Sequence, residues 1–191
     1  MKNNAVARYN LALLPPPATA SRLFKLAASY KKLADGYLLQ SKKSMPHLTM
    51  TQFYATPDIL PNIWRNCLAK MPNRIDAILH SLIFRDIGEF GRKHKNHCGI
   101  WIGVKPNQTL LDLQKKSVAL IKKTGGDPIT PSEGFEPHFT ICRSKKLSKI
   151  PSHVWPEFIP SQTRLSFSIG HCDDMGQYTG IIYSSKGVHN E

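Results

Sequence analysis

Apolar residues recur along the chain with two periods, and the switching between them predicts a mixed architecture. Residues 7–14 alternate imperfectly and stop at Pro15-Pro16-Pro17, which lack the amide donors of a ladder, so a short strand is expected to end there. Thr19 or Ser21 can cap a following helix, in which Leu23, Leu26, Ala27, Tyr30 and Leu33 keep helical spacing as far as Gly36. Residues 47–54, rich in Thr and aromatic side chains, read as a strand closed by Thr56-Pro57. Ile59, Ile63 and Leu68 predict a second helix over 58–70, and 75–87 reads as one or two strands broken near Gly88 and Gly91. A strand follows at 99–105, then a helix over 109–124 with Leu110, Leu113, Ser117 and Ile121 on one face, ended by Gly125-Gly126. Short strands at 138–143, 164–172 and 180–184 complete the series, so strands and helices come round twice and an α+β domain is expected.

Two of these strands share more than a period. Met45-Pro46-His47-Leu48-Thr49-Met50 and Glu136-Pro137-His138-Phe139-Thr140-Ile141 repeat Pro-His, an apolar residue, Thr and another apolar residue, 91 positions apart. Alternate side chains of a strand share a face, so each displays an imidazole and a hydroxyl above an apolar underside. A single His-x-Thr on a strand is ordinary, but core packing has no use for four polar side chains at matched positions. The pairing suits phosphodiester cleavage. One imidazole accepts a proton from the attacking oxygen while the other delivers one to the leaving oxygen, and His titrates near neutrality. Thr49 and Thr140 can donate to the nonbridging phosphate oxygens.

Composition narrows the setting. A chain of 191 residues with 41% hydrophobic residues suits one domain, in two lobes, with 185–191 expected to be a flexible tail. No segment approaches the ~18 apolar residues of a membrane helix. Leu11-Ala12-Leu13-Leu14 is too short to be the core of a secretion signal, and the cytoplasm is the expected compartment. Cys67, Cys98, Cys142 and Cys172 are scattered and are expected to be reduced. The 26 Lys and Arg against 13 Asp and Glu give a net charge of +13, which gathers polyanions around the molecule and favours phosphate-bearing partners. The basic pairs are spread along the chain, so any one of them is better read as an ordinary solvated surface.

The two motifs, with Arg143 after the second and the opening strand ending in Leu-Leu-Pro-Pro-Pro, resemble the 2H phosphoesterases, which include the bacterial 2'-5' RNA ligase group, cyclic nucleotide phosphodiesterases and 2'-5' oligoadenylate phosphodiesterases. The resemblance implies a bilobal fold with pseudo-twofold symmetry, two antiparallel sheets with outer helices, and the motifs facing each other across a central cleft. It implies no cofactor and no metal. A monomer acting on a 2',3'-cyclic phosphate or 2'-5' linkage of RNA or a nucleotide is expected, with His47, Thr49, His138 and Thr140 catalytic. RNA end ligation or exonucleolytic trimming on the same site, and a non-catalytic RNA-binding module, are the alternatives.

Strict alternation places Arg143 opposite His138, so a twist or bulge would be needed to bring it to the phosphate. The same alternation nominates Thr51, Phe53 and Cys142 for the cleft, with Phe53 placed to stack on a base. Gln52 and Tyr54 are lesser candidates. His94, His97 and Cys98, with His171, Cys172 and Asp173, offer ligand types for zinc but no standard spacing, so no metal site is expected.

Overall fold

In the computed structural model, which describes residues 5–40, 43–86, 98–131, 133–144, 155–174 and 176–185, strand β1 (Ala7–Leu14) is buried from Tyr9 onward and stops at the three prolines. Pro17 then opens helix α1 (Pro17–Ser29), where its fixed φ and missing amide suit the first turn. The helix is shorter than its apolar spacing predicts. After Ser29 the chain tightens into three-residue turns, Tyr30 N–H to the Ala27 carbonyl and Leu33 N–H to the Tyr30 carbonyl, although Tyr30 and Leu33 still pack on the core.

The remaining elements are β2 (Tyr37–Leu38), β3 (Leu48–Ala55), a 3-10 turn (Pro57–Ile59), α2 (Leu60–Lys70), β4 (Arg74–Asp86), β5 (Cys98–Val104), α3 (Gln108–Lys123), β6 (Asp127–Pro128), β7 (His138–Ser144), β8 (Gln162–Cys172) and β9 (Tyr178–Ser184). Strands β2 and β6 are too short to leave a period in the sequence. Helix α3 begins where the Asn107 side chain accepts from Leu110 N–H. It ends in a Schellman motif, with Gly125 at φ +95° and Gly126 N–H bonded to the Ile121 carbonyl.

Every strand pairing is antiparallel, and the strands divide into two halves. One half runs β6-β3-β1-β8 with β9 on the far side of β8; the other runs β2-β7-β5-β4. Strand β4 belongs to both. Its first residues, Arg74 to Ile78, pair with β8, and after an irregularity at Leu79 to Ser81 it pairs with β5 as far as Asp86. Helix α3 packs on β3 and on α2, while α1 packs on β7. The helices therefore cover the undersides predicted to be apolar. Leu48, Met50, Phe139 and Ile141 are fully buried there, together with Leu11, Leu13, Ile100 and Ile102. Each such side chain contributes about 1.5–3 kcal/mol by leaving water. Two antiparallel sheets with outer helices are the α+β arrangement expected.

The break near Gly88 and Gly91, His94 and His97, and the tail beyond Ser185 lie outside the described residues. Among the described residues no helix is long and apolar enough to cross a membrane. None of the four cysteines is joined in a disulfide. Burial pushes Cys67 and Cys142 up to about 12 and Cys172 up to about 11, so these three are thiols, not thiolate nucleophiles, at neutral pH.

Candidate active site

His47 immediately precedes β3 and His138 opens β7. Each imidazole is held by the backbone two residues before it: His47 Nδ1 lies 2.8 Å from the Met45 carbonyl, and His138 Nδ1 2.7 Å from the Glu136 carbonyl. A carbonyl oxygen only accepts, so Nδ1 carries the proton in both rings. This fixes the tautomer and makes Nε2 the nitrogen of each neutral ring that can take up a proton. Pro46 and Pro137 separate ring from carbonyl, each with its φ locked.

Beyond the histidines each strand carries one extra residue at the same place. On β1, Ala12 stands opposite Thr49 and Leu11 opposite Thr51, which leaves Met50 as the insertion. On β5, Trp101 stands opposite Thr140 and Ile100 opposite Cys142, which leaves Ile141. A bulge resets the alternation, and this overturns the expected orientation of three residues. Thr51, Phe53 and Cys142 are wholly buried and turned to the core, with the Phe53 ring 5.8 Å from that of Tyr9. Gln52 and Arg143, at matching positions, join the His-Thr face instead. Asn10, opposite Gln52 on β1, donates through Nδ2 to Thr49 Oγ1 at 3.0 Å, and Arg8 on the same face donates to Gln52 Oε1. A single-residue bulge leaves no mark in a sequence, so neither this face nor Arg8 and Asn10 were legible there.

Each histidine also has an aromatic neighbour. The Tyr178 ring lies 5.5 Å from that of His47 at 36°, and its hydroxyl bonds Ser168 Oγ at 2.6 Å. Gly170 makes room for it, because a Cβ there would run into the Tyr178 ring. Trp101 lies flat on His138, with centroids 3.9 Å apart and planes 12° apart. Next along β5, Gly103 stands opposite His138, and a Cβ on it would come within 2.9 Å of His80 Nε2 from β4. The turn between β8 and β9 closes over His47. Gly176, at φ +76°, lies beside His47, where its backbone favours the charged ring, and accepts from Gln52 Nε2 at 3.3 Å.

The two halves meet electrostatically at His47, and β3 and β7 touch without being hydrogen-bonded. Burial, with 8% of the residue exposed, holds His47 below the ordinary imidazole value. The Met45 and Gly176 backbone bonds oppose that shift, the Arg143 guanidinium adds to it, and Asp173 opposes it. Arg143 is itself lowered by burial, with Tyr37 and Asp173 opposing. Burial pushes Tyr37 up to about 12 against the Ser44 hydrogen bond at 2.9 Å and the Arg143 charge. Beside this cluster is a hollow of about 370 Å³ edged by Lys31, Lys43, Tyr37 and Asp173. Among the described residues no three His, Cys, Asp or Glu side chains gather into a metal-holding group.

This arrangement of strands and helices is also the fold of several solved proteins. The structure of apo LigT from E. coli superposes with a TM-score of 0.64 at 12% identity, over 94% of this chain and 96% of that one. LigT complexed with 3'-AMP gives 0.59 at 13% identity over 94% and 97%, and TT0787 of Thermus thermophilus gives 0.62 at 16% over 95% and 100%. At such identities the likeness is one of fold, and it is the fold that the resemblance to 2H phosphoesterases implies. No family model and no curated protein matches the sequence.

Proposed function

We propose that the chain is a phosphodiesterase of the two-histidine kind that needs no metal and hydrolyses a 2',3'-cyclic phosphate or 2'-5' linkage of RNA or a nucleotide. One observation carries the reading. Two strands repeat the same bulge and the same tautomer-fixing bond, so that each presents Nε2, a threonine hydroxyl and a long polar side chain on one face. Core packing gives no reason for that coincidence. LigT has been solved with phosphate and with 3'-AMP, a monoester of phosphate on a ribose oxygen.

The asymmetry between the rings divides their roles. His47 is buried and biased toward the neutral form, which suits the base. His138, half-buried on the Trp101 face, suits the acid. Water gives a proton to His47 Nε2 as its oxygen attacks phosphorus, the bond from phosphorus to the ribose oxygen breaks, and His138 Nε2 supplies the proton that this oxygen needs. Thr49 and Thr140 hydrogen-bond the nonbridging oxygens, with Arg143 beside them. Asn10 occupies an acceptor site of Thr49 Oγ1, which directs the hydroxyl's own hydrogen to the phosphate.

The test is turnover on a panel of cyclic phosphates, 2'-5' oligoadenylates and RNA ends. His47→Ala and His138→Ala should each remove most activity, on the order of 10³-fold or more, with the double variant scarcely worse, because the pair acts as a unit. Near-normal turnover in either single variant would sink the assignment. RNA binding that survives the double substitution, with no turnover in the parent protein, would make the chain a binding module instead.

A further inference from the structure

The two halves differ at one equivalent position. Opposite Thr49 stands Ala12, whose small side chain packs with Tyr178, and opposite Thr140 stands Trp101. Trp101 is 8% exposed, with Ile83 of β4 opposite it on its other side. Its indole lies nearly parallel to the imidazole at 3.9 Å, so that one whole face of His138 rests on a π surface. The negative face of an indole attracts a cation over it more than a neutral ring. Tyr178 stands differently toward His47, at 5.5 Å and tilted by 36°.

We propose that Trp101 is the positioning residue of the general acid: it sets the plane of the His138 ring and favours its charged, proton-donating form. This rests on the reading of His138 as the acid. The groups around that ring bear on the sign. Arg143, on the same face of β7, opposes a charge on His138 as any nearby cation does, and His80 of β4, which reaches over Gly103, is the other imidazole on that side. The Glu136 carbonyl favours it by accepting from Nδ1. Tryptophan adds to the carbonyl's side of that balance. In the other half Ala12 offers no such surface, and its histidine is the one biased toward neutrality.

The experiment compares wild type, Trp101→Phe and Trp101→Leu by the pH profile of kcat/KM and by NMR titration of the His138 ring carbon in the ligand-free protein. Loss of the π face in Trp101→Leu should lower the alkaline limb and the His138 midpoint by roughly half to one pH unit, with a smaller decrease in Trp101→Phe. The acid limb should stay in place. A His138 midpoint that is unchanged or raised in Trp101→Leu, or an equal decrease in both variants, overturns the proposal. If Trp101→Leu fails to fold by circular dichroism, Trp101→Phe decides alone, and an unchanged or raised midpoint counts against the proposal. Because the NMR titration needs no turnover, its outcome separates a failure of this inference from a failure of the phosphodiesterase reading.

Discussion

At His47 the same burial that suits the proposed base also couples the ring to folding. Its folded state favours the neutral imidazole, whereas in the unfolded chain it protonates near the ordinary value of about 6.5. The unfolded state therefore binds more protons below that value, and the stability contributed by this group is present above it and lost as pH falls through the lower folded value. His47→Asn should shrink the drop in melting temperature between pH 7 and pH 5; an equal drop in variant and parent would remove His47 as its source. The activity profile has the matching sign, with an acid limb below the ordinary imidazole range. Asn10→Ala frees the Thr49 hydroxyl to turn away from the cleft, and an increase in KM of several-fold with a folded protein is expected. Unchanged kinetics would show that the hydroxyl needs no such guide. The four motif residues were legible in the sequence because chemistry and spacing repeated together. Asn10, Tyr178 and Trp101 were not, because their roles come from cross-strand neighbours far along the chain.

Among the elements, β3 and β7 separate what a period can say from what it cannot. Alternation correctly put Leu48, Met50, Phe139 and Ile141 underneath, then failed one residue later, where Met50 and Ile141 are inserted. The consequence is measurable by truncation on the two sides of β3. Phe53→Ala should cost about 3–5 kcal/mol in denaturant unfolding, because the fully buried ring leaves a cavity among Tyr9, Ile121 and Gly126. Tyr54→Ala, at 41% exposure, should change stability by within about 0.5 kcal/mol. Equal costs would return Phe53 to the cleft. Helix ends followed their local signals, Asn107 before α3 and Gly125 after it, whereas α1 stopped early because the helical spacing of Tyr30 and Leu33 is also satisfied by successive tight turns.

For the whole molecule, the net charge of +13 makes affinity for a strand different in kind from affinity for a single phosphate. Binding of a single-stranded RNA should weaken steeply with salt, with a log-log slope of about −0.7 for each phosphate neutralised, while a cyclic mononucleotide should show a shallow one. Equal slopes would confine the charge to solubility. Activity should also persist after exhaustive EDTA treatment, and a loss that zinc or magnesium restores would bring back a metal.

Strand β4 passes from one sheet into the other without a loop. A molecule with its halves on separate segments can gape by swinging a linker, at almost no energetic expense. Here any parting must bend a continuous backbone at Leu79 to Ser81 and tear ladder bonds on either side. The spacing of the two halves is thus expected to be set before any ligand arrives, like a fixed gauge, not a jaw. In hydrogen exchange the amides that pair β4 with β8 should be among the last to open.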